Sequence, residues 1–533
     1  MKQFTNTWRL TLLALRRDRW IMAIWVGLIA ITPASLVSTV KAVYPTVADR
    51  INYMNITNSN PAFLANYGPI YAPSVGAVSA QRSGTMPLII ALAALLTVIR
   101  HTRTDEEQGR RELVGAGVVG RQASLAAAIV ATCAASVLLG VLTSTFLVAQ
   151  GLPLAGSIAL GAGYAATGVL YAGLGGLVAQ LSQTAGGARG MGISILAATL
   201  LFRAIGDARM GGSGSWLSWF SPVHWAHQLR PYAHEQWWPL LLFAGGFVVL
   251  YAAAYALEAK RDLGAGVVPA RIGRANAPAT LGSSLGLAWR QQRALFWGWV
   301  IAMAVMGLFF GAIGNSVGEV ARSSAGISTL VEKLGGRGAL VDQFFGFIIT
   351  ALGLTVSAYA VQAALRARRE EAEGRAEPLL STAVTRWSFA GSHLAFAIVG
   401  PAIALGTAGV TAGLMYGASA GNTAAEVWRL LGATFIQLPA IYVLAGTAMA
   451  LFGLVPRWAS LAWGVLGATI FVGIFGPLLN ASQWILDLSP FTHLPRVPGG
   501  EITVAPLAWL IAIALALMAA GLVGFRRRDL TEG

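Results

Sequence analysis

The stretch QASLAAAIVATCAASVLLGVLTSTFLVA, residues 122–149, decides the fold class because it contains no charged residue along its whole length. A run of about 20 apolar residues is long enough to cross the hydrocarbon core of a bilayer as a helix. The whole chain of 533 residues has the same character, with 56% hydrophobic and 11% charged residues. Soluble domains average about 45–50% apolar and about 25% charged residues. The sequence therefore predicts an all-α polytopic membrane protein and excludes a soluble globular fold.

Apolar stretches on both sides of residues 122–149 give two sets of six spans, about 12 transmembrane helices in all. The predicted spans lie near residues 20–43, 85–99, 122–149, 156–181, 189–206, 238–258, 295–316, 342–365, 387–416, 430–453, 459–479 and 505–525. Most of the 37 basic residues fall at the termini and in alternate connecting segments. Such segments stay in the cytoplasm, so we expect both termini to be cytoplasmic.

The net charge of +15 needs no nucleic acid partner, because the same positive-inside rule explains the basic clusters between spans. Only four of the basic residues are lysine, while Ala and Gly are abundant. This composition is typical of a GC-rich bacterial genome. We therefore expect a multi-pass protein of the bacterial plasma membrane, with the lipid bilayer as its surroundings.

A duplicated segment divides the chain into two parallel halves. Residues 103–121, RTDEEQGRRELVGAGVVGR, recur in degenerate form at residues 368–386, RREEAEGRAEPLLSTAVTR. The matching pairs are Arg103/Arg368, Glu106/Glu371, Gly109/Gly374, Arg110/Arg375, Glu112/Glu377, Val119/Val384 and Arg121/Arg386. Two shorter echoes keep nearly the same offset, namely Ser221-Pro222 with Ser489-Pro490 and Arg261-Asp262-Leu263 with Arg528-Asp529-Leu530. The sequence thus predicts two six-helix repeats of the same orientation, residues 1–265 and 266–533.

Each half also begins with an amphipathic pattern. In the first half, Phe4, Trp8, Leu12 and Leu15 fall on one helical face and Arg9 and Arg16 fall elsewhere; the second half has Leu285, Trp289 and Phe296 with Arg290 and Arg293 alongside. This pattern predicts an amphipathic helix in the inner membrane interface before the first span of each half. The alternative is a cytoplasmic extension of that span.

No motif for enzyme chemistry is visible in the sequence. A P-loop needs Gly-Lys-Ser/Thr, and none of the four lysines follows a glycine. The stretch Gly115-Ala-Gly117-Val-Val-Gly120 matches a dinucleotide fingerprint but lacks the preceding strand and the later acidic residue. We therefore predict no catalytic residues and no cofactor in this chain, so any ATP hydrolysis belongs to a partner.

The outer segment 207–237 is rich in histidine and aromatic residues. His224, His227 and His234 stand beside Glu235, which could indicate a metal site. Six aromatic residues share the segment and Trp238 follows it directly, so an interfacial or re-entrant helix explains it better, and we predict no metal. No predicted span has Asp or Glu near its centre, which counts against proton or sodium antiport.

The duplicated segment joins spans two and three of each half on the predicted cytoplasmic side. Helical spacing places Glu106 four residues before Arg110, and Glu371 four residues before Arg375. A glycine in each copy permits a tight turn. A solvated loop would explain the arginines but not the repeated glutamates and glycine. Two such segments predict two copies of one cytoplasmic partner.

With these features, the whole chain resembles the permeases of ABC type-2 exporters, especially antibiotic and multidrug efflux permeases with two fused six-span halves. The resemblance rests on E-E-x-G-R-x-E-L at Glu106–Leu113, on E-x-E-G-R-x-E-P at Glu371–Pro378, on the amphipathic helices and on the Ser-Pro outer segments. It implies that outer re-entrant helices form an extracellular gate. The second copy departs from the pattern at Ala372 and Pro378, which leaves open whether the two docking sites are equivalent.

The resemblance also assigns roles to residues that would contact two copies of a cytoplasmic ATPase, which would bind ATP and Mg. The implied coupling residues are Glu106, Glu107, Gly109, Arg110, Glu112, Glu371, Glu373, Gly374, Arg375 and Glu377. The implied elbow-helix residues are Trp8, Arg9, Arg16, Trp289 and Arg290.

The resemblance further implies that spans two and five of each half line a central cavity. The cavity residues would be Met86, Leu88, Leu92, Phe202, Phe344, Phe345, Phe347, Phe471 and Phe475. An apolar, aromatic lining favours hydrophobic or amphipathic substrates such as antibiotics, drugs or lipids. Such aromatics also serve helix packing. The alternative function is a proton-coupled drug antiporter of the major-facilitator type, and a membrane-bound enzyme is a third reading without a visible acidic site.

Overall fold

The structure, a computed structural model, describes residues 2–59, 61–209, 215–268, 276–323, 337–475, 482–495 and 497–530. Within these ranges every regular element is helical. Eleven of the described helices are long and apolar enough to cross a membrane, and a shorter apolar helix lies at Leu461–Gly473. The prediction of an all-α polytopic membrane protein is therefore confirmed.

The chain separates into two compact units, Met1–Gly273 and Arg274–Gly533. The first half contains six membrane-length helices and several short ones. In chain order its helices are α1 (Thr7–Val43), α2 (Val47–Ser59), α3 (Pro61–Tyr67), α4 (Val75–Arg82), α5 (Met86–Ile99), α6 (Asp105–Glu107), α7 (Arg110–Gly115), α8 (Ala123–Ala149), α9 (Leu154–Leu181), α10 (Ala185–Arg209), α11 (Pro222–His227) and α12 (Pro239–Lys260). Helix α9 lies at the centre of this half and packs against α5, α8 and α12.

The second half has five membrane-length helices and the shorter apolar helix within its described part. Its helices are α13 (Ser284–Ser323), α14 (Arg337–Ala364), α15 (Arg366–Ala372), α16 (Ala376–Leu380), α17 (Arg386–Ala420), α18 (Thr423–Phe435), α19 (Leu438–Leu454), α20 (Leu461–Phe475), α21 (Gln483–Leu486) and α22 (Val504–Arg527). Helix α17 packs against α13, α14 and α18, while α19 packs against α22.

Small residues allow the closest helix pairs to form. A Cβ atom placed on Gly161 of α9 would lie 2.3 Å from the carbonyl oxygen of Gly140 in α8. A Cβ atom on Gly521 of α22 would lie 2.3 Å from the carbonyl oxygen of Met449 in α19. In a bilayer, where lipid is as apolar as leucine, such close backbone approach supplies much of the helix association.

The predicted separate elbow helices need correction. Residues 7–43 form one continuous helix, α1, and residues 284–323 form one continuous helix, α13. Between Thr7 and Val26 no glycine or proline interrupts the helix, so nothing in the sequence forces a break between the amphipathic turns and the span. The described structure thus agrees with the alternative in one respect, that these residues extend the first span of each half as part of the same helix.

Candidate functional site

The duplicated segment of each half contains a sharp turn at the glycine that the two copies share. In the first half, a π-helical turn at Arg100–Thr104 follows α5, and Gly109 separates α6 from α7. Both Gly109 and Gly374 have a φ of +69°, a left-handed conformation that residues with a Cβ atom rarely adopt. The predicted tight turn is therefore present in both halves.

This turn breaks the helical spacing on which two predicted ion pairs depended. The two pairs that the described structure does not contain are Glu106–Arg110 and Glu371–Arg375. Arg110 instead pairs with Asp105, with 3.0 Å between nitrogen and oxygen. Arg375 pairs with Glu370 at 2.8 Å, and this hydrogen bond raises the pKa of Arg375. The prediction of i,i+4 pairs was wrong because a left-handed residue between the partners rotates them onto different faces.

Glu106 lies at the centre of a buried cluster that ties the segment to the end of α12. Its carboxylate accepts hydrogen bonds from both terminal nitrogens of Arg261, at 2.8 and 2.9 Å, and from the backbone N–H of Gly264 at 2.6 Å. It also pairs with Arg103 at 3.0 Å and Arg111 at 3.4 Å. The side chain of Glu106 is only 5% exposed. A partner protein therefore does not meet this carboxylate; it holds the segment in place.

The second half repeats the cluster with the matching residues. Glu371 pairs with both terminal nitrogens of Arg528, at 2.6 and 2.7 Å, and with Arg368 at 3.4 Å. Arg528 is the echo of Arg261, and Glu371 is the echo of Glu106. In each half, the matching glutamate and the matching arginine lie far apart in the sequence and form one buried ion pair.

A third matching residue supports the same connection. Arg121 donates to the carbonyl oxygens of Glu258 and Arg261, at 3.2 and 2.6 Å. Arg386, its counterpart, donates to carbonyl oxygens of residues 525, 526 and 528. An arginine at the C-terminal end of a helix satisfies carbonyl groups that lack partners inside that helix. Each half therefore joins its duplicated segment to the C-terminal end of its last span, α12 or α22, through the same residues.

The exposed part of the first segment is the short helix α7 and the loop after it. Leu113 and Val118 are its two large apolar side chains, and they are 79% and 80% exposed. The predicted coupling residues that are exposed are Glu107, Arg110, Glu112, Glu373, Gly374, Arg375 and Glu377. Pro378 and Ala383 occupy the positions that match the two exposed apolar residues. The first duplicated segment thus has an apolar tip, and the second lacks large apolar side chains at these positions.

The N-terminal residues contact the duplicated segment directly. The backbone N–H groups of Gly120 and Gln122 donate to the carbonyl oxygens of Thr5 and Gln3, at 3.1 and 3.0 Å. The amide of Asn6 donates to a carbonyl at residue 118, at 2.6 Å. The predicted elbow residues that lie exposed are Trp8, Arg9, Arg16, Trp289 and Arg290. The start of α1 and the first duplicated segment therefore form one continuous surface.

Charged residues that the sequence did not single out lie behind this surface. Asp18, which is buried, pairs with His101 at 2.8 Å and with Arg100 at 3.2 Å. Arg17 pairs with Asp105 at 2.8 Å. Asp18 lies among arginines in the sequence, and its burial depends on contacts with His101 and Arg100, which the sequence does not reveal.

A second buried cluster lies at the C-terminal end of α10, at the predicted outer end of the first half. Asp207 pairs with Arg203 at 3.2 Å and with His224 at 3.3 Å, and it accepts a hydrogen bond from Ser218 at 2.7 Å. Arg203 also donates to the carbonyl oxygen of Asn66. These contacts hold the outer segment after α10 against both α10 and α3. The i,i+4 spacing of Arg203 and Asp207 is the sequence signal from which this cluster could have been predicted.

The histidine-rich segment shows no metal site in the part of the chain that the structure describes, where no group of three or more His, Cys, Asp or Glu residues could hold a metal. His227 lies against the carbonyl oxygen of Gly84, at 3.2 Å. Burial, together with the nearby charge of Arg203, lowers the pKa of His227 to about 3. His234 is exposed. The histidines therefore serve different local contacts.

The predicted cavity residues occupy different environments within their own halves. Phe345 is buried against Tyr416, whereas Phe347 and Phe471 are largely exposed. Phe202 lies next to Phe220, with ring centroids 6.2 Å apart. The half-buried members of the set are Met86, Leu88, Leu92 and Phe344, while the side chain of Phe475 lies outside the described residues.

Comparison with known proteins gives two matches. Residues 281–526 match the family model described as the C-terminal domain of the multidrug efflux system permease Rv1217c. The chain is also 41% identical over 527 residues to the multidrug efflux system permease protein Rv1217c of Mycobacterium tuberculosis (strain ATCC 25618 / H37Rv). That alignment covers 99% of this chain and 95% of the relative.

Proposed function

The chain belongs to the family of multidrug efflux system permeases, and from this premise we propose that it is the membrane subunit of an ATP-driven exporter of the ABC type. The sequence supplies no Gly-Lys-Ser/Thr with which to bind nucleotide phosphates. The energy for export would then come from a separate ATPase, which binds ATP and Mg. The chain itself would have no ATPase site.

The observation that carries this proposal is the repeated connection between each duplicated segment and the end of its last span. A partner that moves the exposed part of the segment would also move α12 or α22, because buried Glu–Arg pairs join them. Paired, buried charges resist separation since an unpaired charge in the interior is strongly unfavourable. A rigid connection of this kind suits transmission of motion from a partner into the membrane.

Two such segments favour one chain with two copies of the ATPase. We infer that the basic end of each half is cytoplasmic, that both termini lie there, and that the protein resides in the bacterial plasma membrane. The contact residues we infer are the exposed Glu107 and Glu112 in the first half, and Glu373 and Glu377 in the second. Glu106 and Glu371 would act by positioning the segments.

For the substrate we infer hydrophobic or amphipathic molecules such as antibiotics, drugs or lipids, moved outward. The relative from Mycobacterium tuberculosis is named as a multidrug efflux permease, which fits this chemistry. Phe202, Phe347 and Phe471 present exposed aromatic rings on helices of the two halves. Aromatic and aliphatic surfaces bind such molecules mainly by removing apolar area from water. Phe345, which is buried, would shape this surface by packing.

One observation favours the second candidate, a proton-coupled antiporter. Asp207 and His224 form a buried pair at the outer end of α10, and such groups can carry a proton in a carrier. Arg203 at 3.2 Å, however, gives the carboxylate a permanent cationic partner. An Asp207→Asn variant separates the candidates. It should abolish transport in a proton-coupled antiporter. In an ATP-driven exporter it should affect transport only through the stability of the outer segment.

Purification of the chain together with its ATPase tests the proposal. Native mass spectrometry should give one permease and two ATPase copies per complex. Val118→Glu should reduce ATPase retention at least tenfold at the first docking segment, because it places a charge on an apolar tip. Val268→Glu is the matched control, since Val268 is an exposed valine (55%) of the same half outside the segment. Equal retention by both variants, or a complex with two permeases, would argue against the docking assignment.

A further inference from the structure

A cavity of about 170 Å³ lies in the first half between α1, the π-helical turn, α7 and α8. Helix α1 contributes Leu10, Leu13, Ala14 and Arg17 to its wall. These residues follow the spacing of one helical face, so one side of α1 is apolar and ends in a cation. Alanines of α8 form the opposite apolar wall.

The charged groups at the mouth of this cavity carry a net positive charge. Arg17 and Arg110 share a single carboxylate, Asp105, at 2.8 and 3.0 Å. Behind them, Asp18 pairs with Arg100 at 3.2 Å. The lining thus contains three guanidinium groups, those of Arg17, Arg110 and Arg111, and one carboxylate, that of Asp105. Arg111 has its own partners in Glu106 and Glu258, whereas the side chain of Arg110 is 55% exposed. The uncompensated charge lies where a ligand could reach it.

The rest of α1 continues this basic, interfacial character. Arg9, Arg16 and Arg19 are exposed, and no carboxylate lies within ion-pair distance of them in the described part of the chain. Trp8 and Trp20 are exposed on the same helix. Tryptophan and arginine at the end of a span are typical of the headgroup layer of a membrane.

The second half provides an internal comparison. A cavity of about 70 Å³ there is formed by the start of α13, the end of α16 and the start of α17. Its polar lining consists of serines with Gln291 and His393, and it contains no arginine, lysine or carboxylate. The charge of the first cavity is therefore a property of this half and not a requirement of the repeated architecture.

We propose that the cavity of the first half binds the headgroup of an anionic phospholipid. The phosphate would lie between Arg17 and Arg110, and an acyl chain would follow the apolar face at Leu10 and Leu13. A free phosphate would use the cations but would leave the apolar wall uncovered, whereas a lipid satisfies both. This binding is independent of the energy source for transport, so it stands or falls separately from the exporter assignment.

Native mass spectrometry of the purified full chain, with phosphatidylglycerol or phosphatidylcholine added in the detergent, tests the inference. We expect retention of at least one phosphatidylglycerol and several-fold weaker retention of phosphatidylcholine. Arg17→Gln should reduce phosphatidylglycerol retention at least fivefold, and Arg17→Lys should restore most of it. Protection against heat by free glycerol phosphate equal to that by phosphatidylglycerol would overturn the choice of a lipid.

A second pair of variants avoids the ion pairs altogether. Leu13→Glu places a carboxylate in the cavity, while Leu12→Glu places one on the adjacent face; the two leucines are similarly exposed, at 55% and 48%. Leu13→Glu should lose phosphatidylglycerol and Leu12→Glu should keep it. If both variants, and Arg17→Gln, retained the lipid as the unmodified chain does, the cavity would not be its site.

Discussion

Glu106 and Glu371 play the same role in the two halves, because the two oxygens of each carboxylate bind one arginine at two points. Arg261 and Arg528 donate through both terminal nitrogens, the two-point geometry that makes arginine–carboxylate pairs strong. Arg103 supplies a further cation to Glu106. A glutamine at the same position would preserve the shape and lose the charge, leaving buried guanidinium groups without a counterion.

Glu106→Gln should therefore lower the stability of the chain by about 3–5 kcal/mol, the usual effect of removing one partner from a buried ion pair. Glu112→Gln is the matched control, because Glu112 belongs to the same segment and is exposed. Thermal unfolding of the two purified variants in detergent measures the difference. Equal melting temperatures would mean that Glu106 does not hold the segment in place.

His227 provides a test in the outer segment. Its pKa is near 6.5 in an unfolded chain, and burial lowers it to about 3 in the folded protein. Between these values the unfolded state binds a proton that the folded state does not. Stability should then fall as the pH decreases from about 6.5 to about 3, by about 1.4 kcal/mol per pH unit.

In His227→Gln this contribution to the pH dependence should disappear, whereas His234→Gln should keep it because His234 is exposed. Melting temperatures between pH 7 and pH 5 provide the comparison. A pH slope unchanged in His227→Gln would show that the residue is protonated in the folded protein.

At the scale of the helices, the sequence predicted most spans closely because apolar length alone determines them. Residues 122–149 and 156–181 were expected, and α8 and α9 span Ala123–Ala149 and Leu154–Leu181. The amphipathic pattern could not show whether the elbow residues form a separate helix, since amphipathic residues and a span can share one unbroken helix. The partners of Glu106 were equally hidden, because they depend on the left-handed turn at Gly109 and on a residue 155 positions away.

Close packing of α19 and α22 depends on glycine at the contact. Gly521→Ala places a Cβ atom 2.3 Å from the carbonyl oxygen of Met449, so the helices must separate, at a cost of about 1–3 kcal/mol. Gly464→Ala is the control, because a Cβ atom there meets nothing within 4 Å. Thermal unfolding should show a lower midpoint for Gly521→Ala alone. A midpoint equal to that of the control would mean that this helix pair tolerates a wider spacing.

In the molecule as a whole, the duplication keeps the central Glu–Arg ion pair of each half and differs on the surface. The ion pairs of Glu106 with Arg261 and of Glu371 with Arg528 are matched. The exposed Leu113 and Val118 have smaller counterparts, Pro378 and Ala383. The sequence alone showed which residues are the same in the two copies, but not which of these positions are buried and which are exposed. That distinction moves the expected partner contacts from the two glutamates to α7 and the exposed carboxylates.

The central claim, that ATP hydrolysis by a partner drives export, is tested most directly in proteoliposomes that contain the chain and its ATPase. Transport of a lipophilic dye is measured with ATP and Mg on the side of the ATPase, with and without a protonophore. We predict dye transport that needs hydrolysable ATP and is unaffected by collapse of the proton gradient. Transport driven by an imposed pH gradient in the absence of ATP would contradict the account.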